Sequence, residues 1–167
     1  MAVRPVLHLP APVLQQRAAE VGAFDAEVQA LIVDLVDTMR ASPACVGLAA
    51  NQIGVARRVF VIDVTGHRKA RSCGGEIVLV DPTIVEASDP VSAREGCMSV
   101  PDLTGDVPRA SRLVMRGLSR EGVERTVEAD AFEARALLHE LDHLDGRVFL
   151  DRVASSTSVF RRRVYRT

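Results

Sequence analysis

Apolar residues recur at helical spacing in one early stretch of the chain, at intervals of three and four residues. The positions that share this spacing are Val28, Leu31, Ile32, Leu35, Val36 and Met39. Asp25 precedes them as a candidate N-cap, and a helix must end before Pro43. The pattern therefore predicts an amphipathic helix that starts after Asp25 and ends before Pro43.

Short runs of β-branched and aromatic residues predict strands in the middle of the chain. Examples are VFVIDV and IVLV, which are bounded by glycine, proline or charged residues. The predicted strands cover residues 59–64, 77–80, 83–85, 113–118 and 125–128. Between the first two, the polar and glycine-containing segment 65–75 predicts an exposed, mobile connection. A turn over residues 120–122 is predicted between the last two strands.

A second helix is predicted over AFEARALLHELDHL, because Asp130 precedes it as an N-cap and Gly146 follows it as a C-terminal glycine. Two helices with short strands between them, without alternating βαβ units, are typical of the α+β class. We therefore expect an α+β fold in which mostly antiparallel β-sheets pack around a buried second helix. The arginine-rich tail, residues 160–167, predicts a terminal helical turn or a frayed end.

Composition narrows the class of protein. The chain has 167 residues, 47% of them hydrophobic and 26% charged, so we expect one domain over residues 1–167. A net charge of −1 argues against a sequence-specific nucleic-acid binder. No apolar run suits a membrane span and the first residues lack a secretory signal, so we expect a cytoplasmic protein with no membrane partner. Three scattered cysteines argue against a disulfide framework.

The segment HELDH in the second predicted helix is an HExxH pattern. Its spacing puts His139 and His143 on one helical face, where both imidazoles can bind one metal ion and Glu140 lies beside it. The alternative is two histidines that pack within a helix. A catalytic metal site also needs a third protein ligand and an open coordination position.

The third ligand must come from elsewhere in the chain. No Glu or His follows His143, which leaves an upstream residue or an aspartate, and Asp145 and Asp151 are expected at a turn and at the surface. Upstream, Cys97 lies in the segment EGCMS, and a thiolate binds zinc or iron tightly. Gly96 beside it would let the backbone approach a metal or a substrate closely. The alternative for Cys97 is a small buried hydrophobic residue.

The segment VGLAANQIG combines small residues with one amide side chain. Small residues let the chain pass close to a ligand, and the Gln52 amide can stabilise negative charge that develops on an oxygen. The alternative is a tight turn that carries a surface glutamine.

Together these segments resemble the peptide deformylase family, whose motifs are GxGxAAxQ, EGCxS and QHExDHxxG, in that order. They appear here as CVGLAANQ (45–52), EGCMS (95–99) and LHELDHLDG (138–146). The likeness extends to RPVLHLPAPVL near the N-terminus, to VPR at 107–109 and to GRVFLD at 146–151. It implies a single catalytic domain that removes the formyl group from the N-terminal formylmethionine of nascent polypeptides and releases formate.

The resemblance further implies a divalent metal ion held by Cys97, His139 and His143, with water in the fourth position. That water would attack the formyl carbon while Glu140 acts as general base and then as general acid. One thiolate and two imidazoles suit Fe(II), Zn(II), Ni(II) or Co(II), of which we expect Fe(II) as the native ion.

The same resemblance implies roles for the surrounding residues. Gln52 and the backbone N–H of Met98 would form an oxyanion hole, and Glu95 with Arg109 would form a buried ion pair that orients the Cys97 segment. The expected substrate-binding residues are Val46, Gly47, Leu48 and Gly96. The expected partners are N-formylmethionyl peptides and the ribosome, which the basic C-terminal tail would contact transiently.

Two positions depart from the motifs: Cys45 stands in place of the first glycine, and Leu138 in place of the Gln before His139. Neither position supplies a ligand or a proton, so only the fine shape of the pocket is affected. We expect Cys45 to pack behind the loop, the alternative being a thiol near the substrate groove. A different metal amidase on the same scaffold and a catalytically silent binding protein remain as alternative functions.

Overall fold

Residues 2–162 are described by the structure, a computed structural model, and they form two α-helices and a six-stranded antiparallel sheet. The helices are α1 (Ala26–Ala41) and α2 (Ala131–Leu144). The strands are β1 (Gly47–Ala49), β2 (Val59–Ile62), β3 (Ile77–Cys97), β4 (Val100–Leu118), β5 (Glu124–Asp130) and β6 (Val159–Arg161). The order in the sheet is β1-β2-β3-β4-β5, and β6 pairs with β4. The predicted α+β class is confirmed.

Both predicted helices are present. The Asp25 carboxylate accepts hydrogen bonds from the backbone N–H groups of Glu27 and Val28, at 3.0 and 3.1 Å, and so caps α1 as predicted. Asp130 stands at the N-cap position of α2, but its side chain makes no capping bond there. It accepts a hydrogen bond of 2.9 Å from the backbone N–H of Ser72 instead. Asp130 therefore lies at the predicted N-cap position, but its side chain does not cap the helix.

The site-bearing part of the sheet lies between the two helices. Successive side chains of a strand point to opposite faces, so Val59 and Val61 of β2 pack in the cluster around α1. Phe60 and Ile62 point the other way and pack with α2. All four are at most 1% exposed, because both faces of β2 are covered. This burial fixes α2 across one face of the sheet.

A long hairpin of β3 and β4 extends the predicted strand fragments. The prediction stopped at residue 85 in this region and resumed at residue 113, whereas β3 and β4 cover most of the residues between. Much of β3 beyond residue 83 is exposed, so it lacks an apolar alternation, and Pro90 and Pro108 lie within the pairing. Proline and the absence of a buried face both hide a strand from sequence patterns. The hairpin matters because β3 ends at Cys97.

Two connecting segments agree with expectation only in part. Segment 65–75 is mostly exposed and has no helix or strand, as predicted, but the backbone N–H of Gly74 donates to Glu133 of α2 at 2.6 Å, so its second half is attached to α2. In the tail, Phe160 and Arg161 belong to β6, so a helical turn there is wrong; residues 163–167 lie outside the described part. Within residues 2–162, no helix is long and apolar enough to cross a membrane.

Candidate active site

Three potential metal ligands converge where α2 crosses the end of β3. Cys97 is the last residue of β3, and one helical turn separates His139 from His143 on α2. One ligand atom from each of the three residues lies within 4.8 Å of the other two. His143 is fully buried and Cys97 is 4% exposed. The structure thus brings together the three residues that the sequence suggested as ligands.

The donor atoms fit a divalent metal ion. Cys97 Sγ lies 3.2 Å from His143 Nε2, close to the spacing of about 3–4 Å that ligands about 2.0–2.3 Å from one tetrahedral ion adopt. Nδ1 of His139 lies 2.9 Å from the Glu95 carboxylate, which leaves Nε2 for a metal. One sulfur and two nitrogen donors suit zinc, iron, cobalt or nickel.

The surroundings of Cys97 favour its thiolate form. Burial by itself raises the pKa of the thiol, but the charge on His143 and hydrogen bonds from both histidines hold the pKa well below its usual value. The thiolate is the form that binds metals. These surroundings favour Cys97 as a metal ligand over the alternative of an inert buried residue.

Glu140 lies beside the three ligands without being one of them. Its side chain is buried, and burial raises its pKa to about 7, although the two histidines oppose this shift. Oε2 of Glu140 has no hydrogen-bond partner among residues 2–162. A buried carboxylate with a free oxygen and a pKa near neutrality is suited to accept and return a proton.

Gly47 of β1 makes room for Glu140. A Cβ atom at position 47 would lie 2.5 Å from Oε1 of Glu140. Any other residue would therefore displace either β1 or the carboxylate, and this close approach explains why the small residue is needed.

The amide of Gln52 points into the same site. Gln52 belongs to a short 3₁₀ turn, Ala50–Ile53, and it is 2% exposed, so the alternative of a surface glutamine is excluded. Its Oε1 accepts from the backbone N–H of Ala49 at 2.9 Å. Its Nε2 donates to Ser99 Oγ at 3.1 Å and lies 3.6 Å from Cys97 Sγ. The N–H donors of the amide thus face the ligand cluster.

A cavity of about 230 Å³ opens beside the ligands. The sequence-predicted residues that line it are Val46, Gly47, Gln52, Glu95, Gly96, Cys97, Met98, His139 and Glu140. Leu48 does not line the cavity. It is fully buried against α1, because side chains alternate along β1 and Leu48 points away from Gly47. Cys45 is half-buried and lies at the cavity wall, and it also packs against the apolar cluster around α1.

Glu95 connects the cluster to a buried group of charges. Its carboxylate accepts from Arg109 at 2.5 and 3.0 Å, from Arg135 at 2.7 Å, and contacts His139. Burial alone would raise its pKa, but the hydrogen bonds from His139 and Arg109 lower it to about 2. Glu95 is therefore ionised and holds the His139 ring in one orientation.

Three members of this group of charges were not identified from the sequence. Arg135 precedes His139 by one helical turn, and its position on the buried face of α2 was the available signal. Asp142 accepts from Arg109 at 2.7 Å and from Arg152 at 2.6 Å. The network therefore runs from His139 through Glu95 and Arg109 back to α2.

Comparison with known proteins agrees with this geometry. The sequence profile of the family described as polypeptide deformylase matches residues 3–159. The chain belongs to the polypeptide deformylase family. A peptide deformylase from Desulforudis audaxviator is 43% identical over 164 residues, which cover 98% of this chain and 99% of that protein. The peptide deformylase of Agrobacterium fabrum is 41% identical over 155 residues, 92% of this chain and 89% of its own length.

Solved deformylase structures share the fold. The crystal structure of peptide deformylase from Ehrlichia chaffeensis in complex with actinonin has a TM-score of 0.87 at 33% identity, covering 95% of this chain and 92% of that one. The deformylase from Legionella pneumophila has a TM-score of 0.84 at 38% identity, with 94% and 89% coverage. Membership of the deformylase family therefore rests on sequence and on fold.

Proposed function

We propose that this chain removes the N-formyl group from the N-terminal formylmethionine of nascent polypeptides, by metal-dependent hydrolysis that releases formate. The observation that carries the proposal is the convergence of Cys97, His139 and His143 beside the buried Glu140 carboxylate. Family membership and coverage of nearly the whole length of the relatives support it.

A divalent ion bound by Cys97, His139 and His143 would supply Lewis-acid polarisation of the formyl carbonyl and activation of water. We propose Fe(II) as the native ion, with Zn(II), Ni(II) and Co(II) as ions that the same donors accept. The mixed sulfur and nitrogen donor set supports this choice of ions.

Glu140 is proposed to move the proton. Its unpartnered Oε2 takes a proton from the attacking water, and the raised pKa keeps that proton available near neutral pH. The carboxylic acid then gives the proton to the departing amine nitrogen as the carbon–nitrogen bond breaks. Formate and a free N-terminal amine are the products.

The formyl oxygen gains negative charge while water attacks the carbon, and hydrogen-bond donors are needed to stabilise that charge. We assign this role to the Nε2–H group of Gln52 and to the backbone N–H of Met98, because both residues line the cavity. Val46, Gly47 and Gly96 are proposed to bind the substrate chain. For Leu48, only its backbone in β1 is available for this purpose.

The cell compartment and the partners are further proposals. We place the enzyme in the cytoplasm, where nascent chains emerge, and propose transient contact with the ribosome through the basic C-terminal end. Arg161 and Arg162 are exposed and support a contact with an acidic surface.

The deciding experiment compares formyl-Met-Ala with acetyl-Met-Ala, using enzyme loaded with a known metal ion and a direct assay of formate or acetate. Selective release of formate supports the proposal. Equal hydrolysis of both peptides would favour a broader metal amidase. Release from neither peptide by metal-loaded protein would favour a silent binding protein and overturn the assignment.

A further inference from the structure

The C-terminal segment places one arginine at the mouth of the active-site cavity. Arg162 follows β6, and its backbone N–H donates to the carbonyl of Asp102 at 2.8 Å. Its Nη2 donates to the carbonyl of Cys97 at 3.2 Å. A Cβ atom on Gly96 would lie 2.5 Å from this Nη2, so the guanidinium occupies the space that the glycine leaves. Arg162 is therefore held beside the candidate metal centre.

Arg162 differs from the other arginines that line this cavity. Arg94 is paired with Asp106 at 2.6 Å and stacks over the Phe160 ring at 3.7 Å. Arg135 is paired with Glu95. Within residues 2–162, no carboxylate lies within 4.0 Å of the Arg162 guanidinium. Among the described residues, the guanidinium makes one hydrogen bond, to the Cys97 carbonyl, and the remaining N–H groups are donors that a ligand can use.

A guanidinium with free parallel N–H groups matches a carboxylate better than any other common group in peptides. Two carboxylates of the protein, those of Glu95 and Glu140, also line the cavity, but neither occupies the place of a substrate carboxylate beside Arg162. The charge of Glu95 is offset by its pairs with Arg109 and Arg135, and neither Glu95 nor Glu140 is paired with the Arg162 guanidinium. The local charge at Gly96 thus favours an anionic substrate group.

We propose that Arg162 binds a carboxylate of the substrate and makes the enzyme prefer formylmethionyl chains with an acidic residue one or two positions after the methionine. Gly96 is adjacent to Cys97, so a group bound there lies only a short stretch of chain away from the formyl group. The inference rests on the proposed function and adds a substrate class to it. The C-terminal carboxylate of a very short peptide offers the same chemistry and must be distinguished.

The test compares kcat and KM for matched peptides. The first pair, formyl-Met-Asp-Ser amide and formyl-Met-Asn-Ser amide, tests a negative charge directly after the methionine. The second pair, formyl-Met-Ala-Asp amide and formyl-Met-Ala-Asn amide, tests the same charge one residue further along the chain. The preferred Asp peptide should have a kcat/KM about fivefold above its Asn partner, through KM, since exposed ion pairs contribute about 1 kcal/mol or less. The preference should shrink at high salt. Formyl-Met-Ala-Ser as free acid against its amide measures the effect of the chain end.

Arg162→Gln should remove the Asp preference, and Arg162→Lys should restore part of it. Arg161→Gln is the matched control, because Arg161 is an exposed neighbour that does not line the cavity, and it should keep the full preference. The same Asp-to-Asn ratio in wild type and Arg162→Gln would overturn the inference. So would an equal fall of kcat for both peptides with loss of metal, which would make Arg162 a support for Cys97.

The two proposals fail in different ways. If wild-type enzyme releases no formate from any of these peptides, the proposed function is wrong. If it deformylates all of them at the same rate, only the role of Arg162 is wrong. If only the free-acid peptide is preferred over its amide, Arg162 binds the C-terminal carboxylate of short peptides, and the proposed preference for an acidic residue is wrong.

Discussion

The Glu95 carboxylate lies 2.9 Å from Nδ1 of His139, on the side of the ring away from the ligand cluster. Carboxylates in this position fix the orientation of a metal-binding imidazole and increase its basicity. Because Arg109 and Arg135 hold the carboxylate in turn, the ring of His139 has little freedom to rotate.

Glu95→Gln should weaken metal affinity by about tenfold or more, because the amide is a poorer partner for His139 and a poorer match for two arginines. Competition with a chelator measures the affinity. Asp106→Asn is a control, since Asp106 is an exposed carboxylate that pairs with Arg94 away from the ligands. Unchanged metal affinity in Glu95→Gln would show that the carboxylate does not position the ring.

The stability of the metal-free protein should fall in acid. The pKa of Glu95 is lowered to about 2 in the folded state, so its contribution is complete above its ordinary pKa of 4.5 and is lost as the pH falls toward 2. The lowered pKa corresponds to a contribution of about 3 kcal/mol to the free energy of unfolding. Urea unfolding at pH values from 7 to about 3 should show about 2 kcal/mol of this loss. Glu95→Gln should lack this component, and an identical pH dependence in both proteins would contradict the assignment.

Glu140→Gln should retain the metal and lose activity by at least about 10²-fold, because the amide cannot accept the proton. Metal analysis together with formate release separates the two properties. Parallel loss of metal and activity would make Glu140 a ligand rather than the group that moves the proton.

Cys45 should contribute nothing to oxidative inactivation. Burial, with a smaller effect of the Glu140 charge, raises the pKa of its thiol to about 12, so the reactive thiolate is scarce at neutral pH. We expect Cys45→Ser and wild type, both loaded with Ni(II), to have the same half-life in peroxide. A longer half-life for Cys45→Ser would show that this thiol is attacked in spite of its raised pKa.

The sequence predicted the parts of the site that depend on helical periodicity. Residues four positions apart lie on the same face of a helix, so the local sequence was enough to predict that His139 and His143 lie together on α2. Cys97 could be named from its chemistry as a candidate third ligand, but the family resemblance was needed to pair it with the histidines, because the contact joins residues of β3 and α2 that are at least 42 positions apart. Long-range contacts of this kind leave no periodic pattern in a single sequence.

Other features could not be predicted because they depend on which face a side chain takes. Leu48 was expected at the substrate, but the alternation of β1 turns it toward α1. Arg135 was not identified, since an arginine in a helix usually reaches solvent, whereas here it is 8% exposed and pairs with Glu95. The position of Arg162 depends on the pairing of β6 with β4, which is a tertiary contact.

The close packing of Gly47 against Glu140 also bears on drug resistance. A common route of escape from an inhibitor is to enlarge a residue of the pocket wall so that the compound no longer fits. At position 47 a single added carbon would meet the Glu140 carboxylate at 2.5 Å before it met any inhibitor. A compound that lies flat against Gly47 therefore contacts a surface that cannot be enlarged without displacing the Glu140 carboxylate, the group proposed here to transfer the proton.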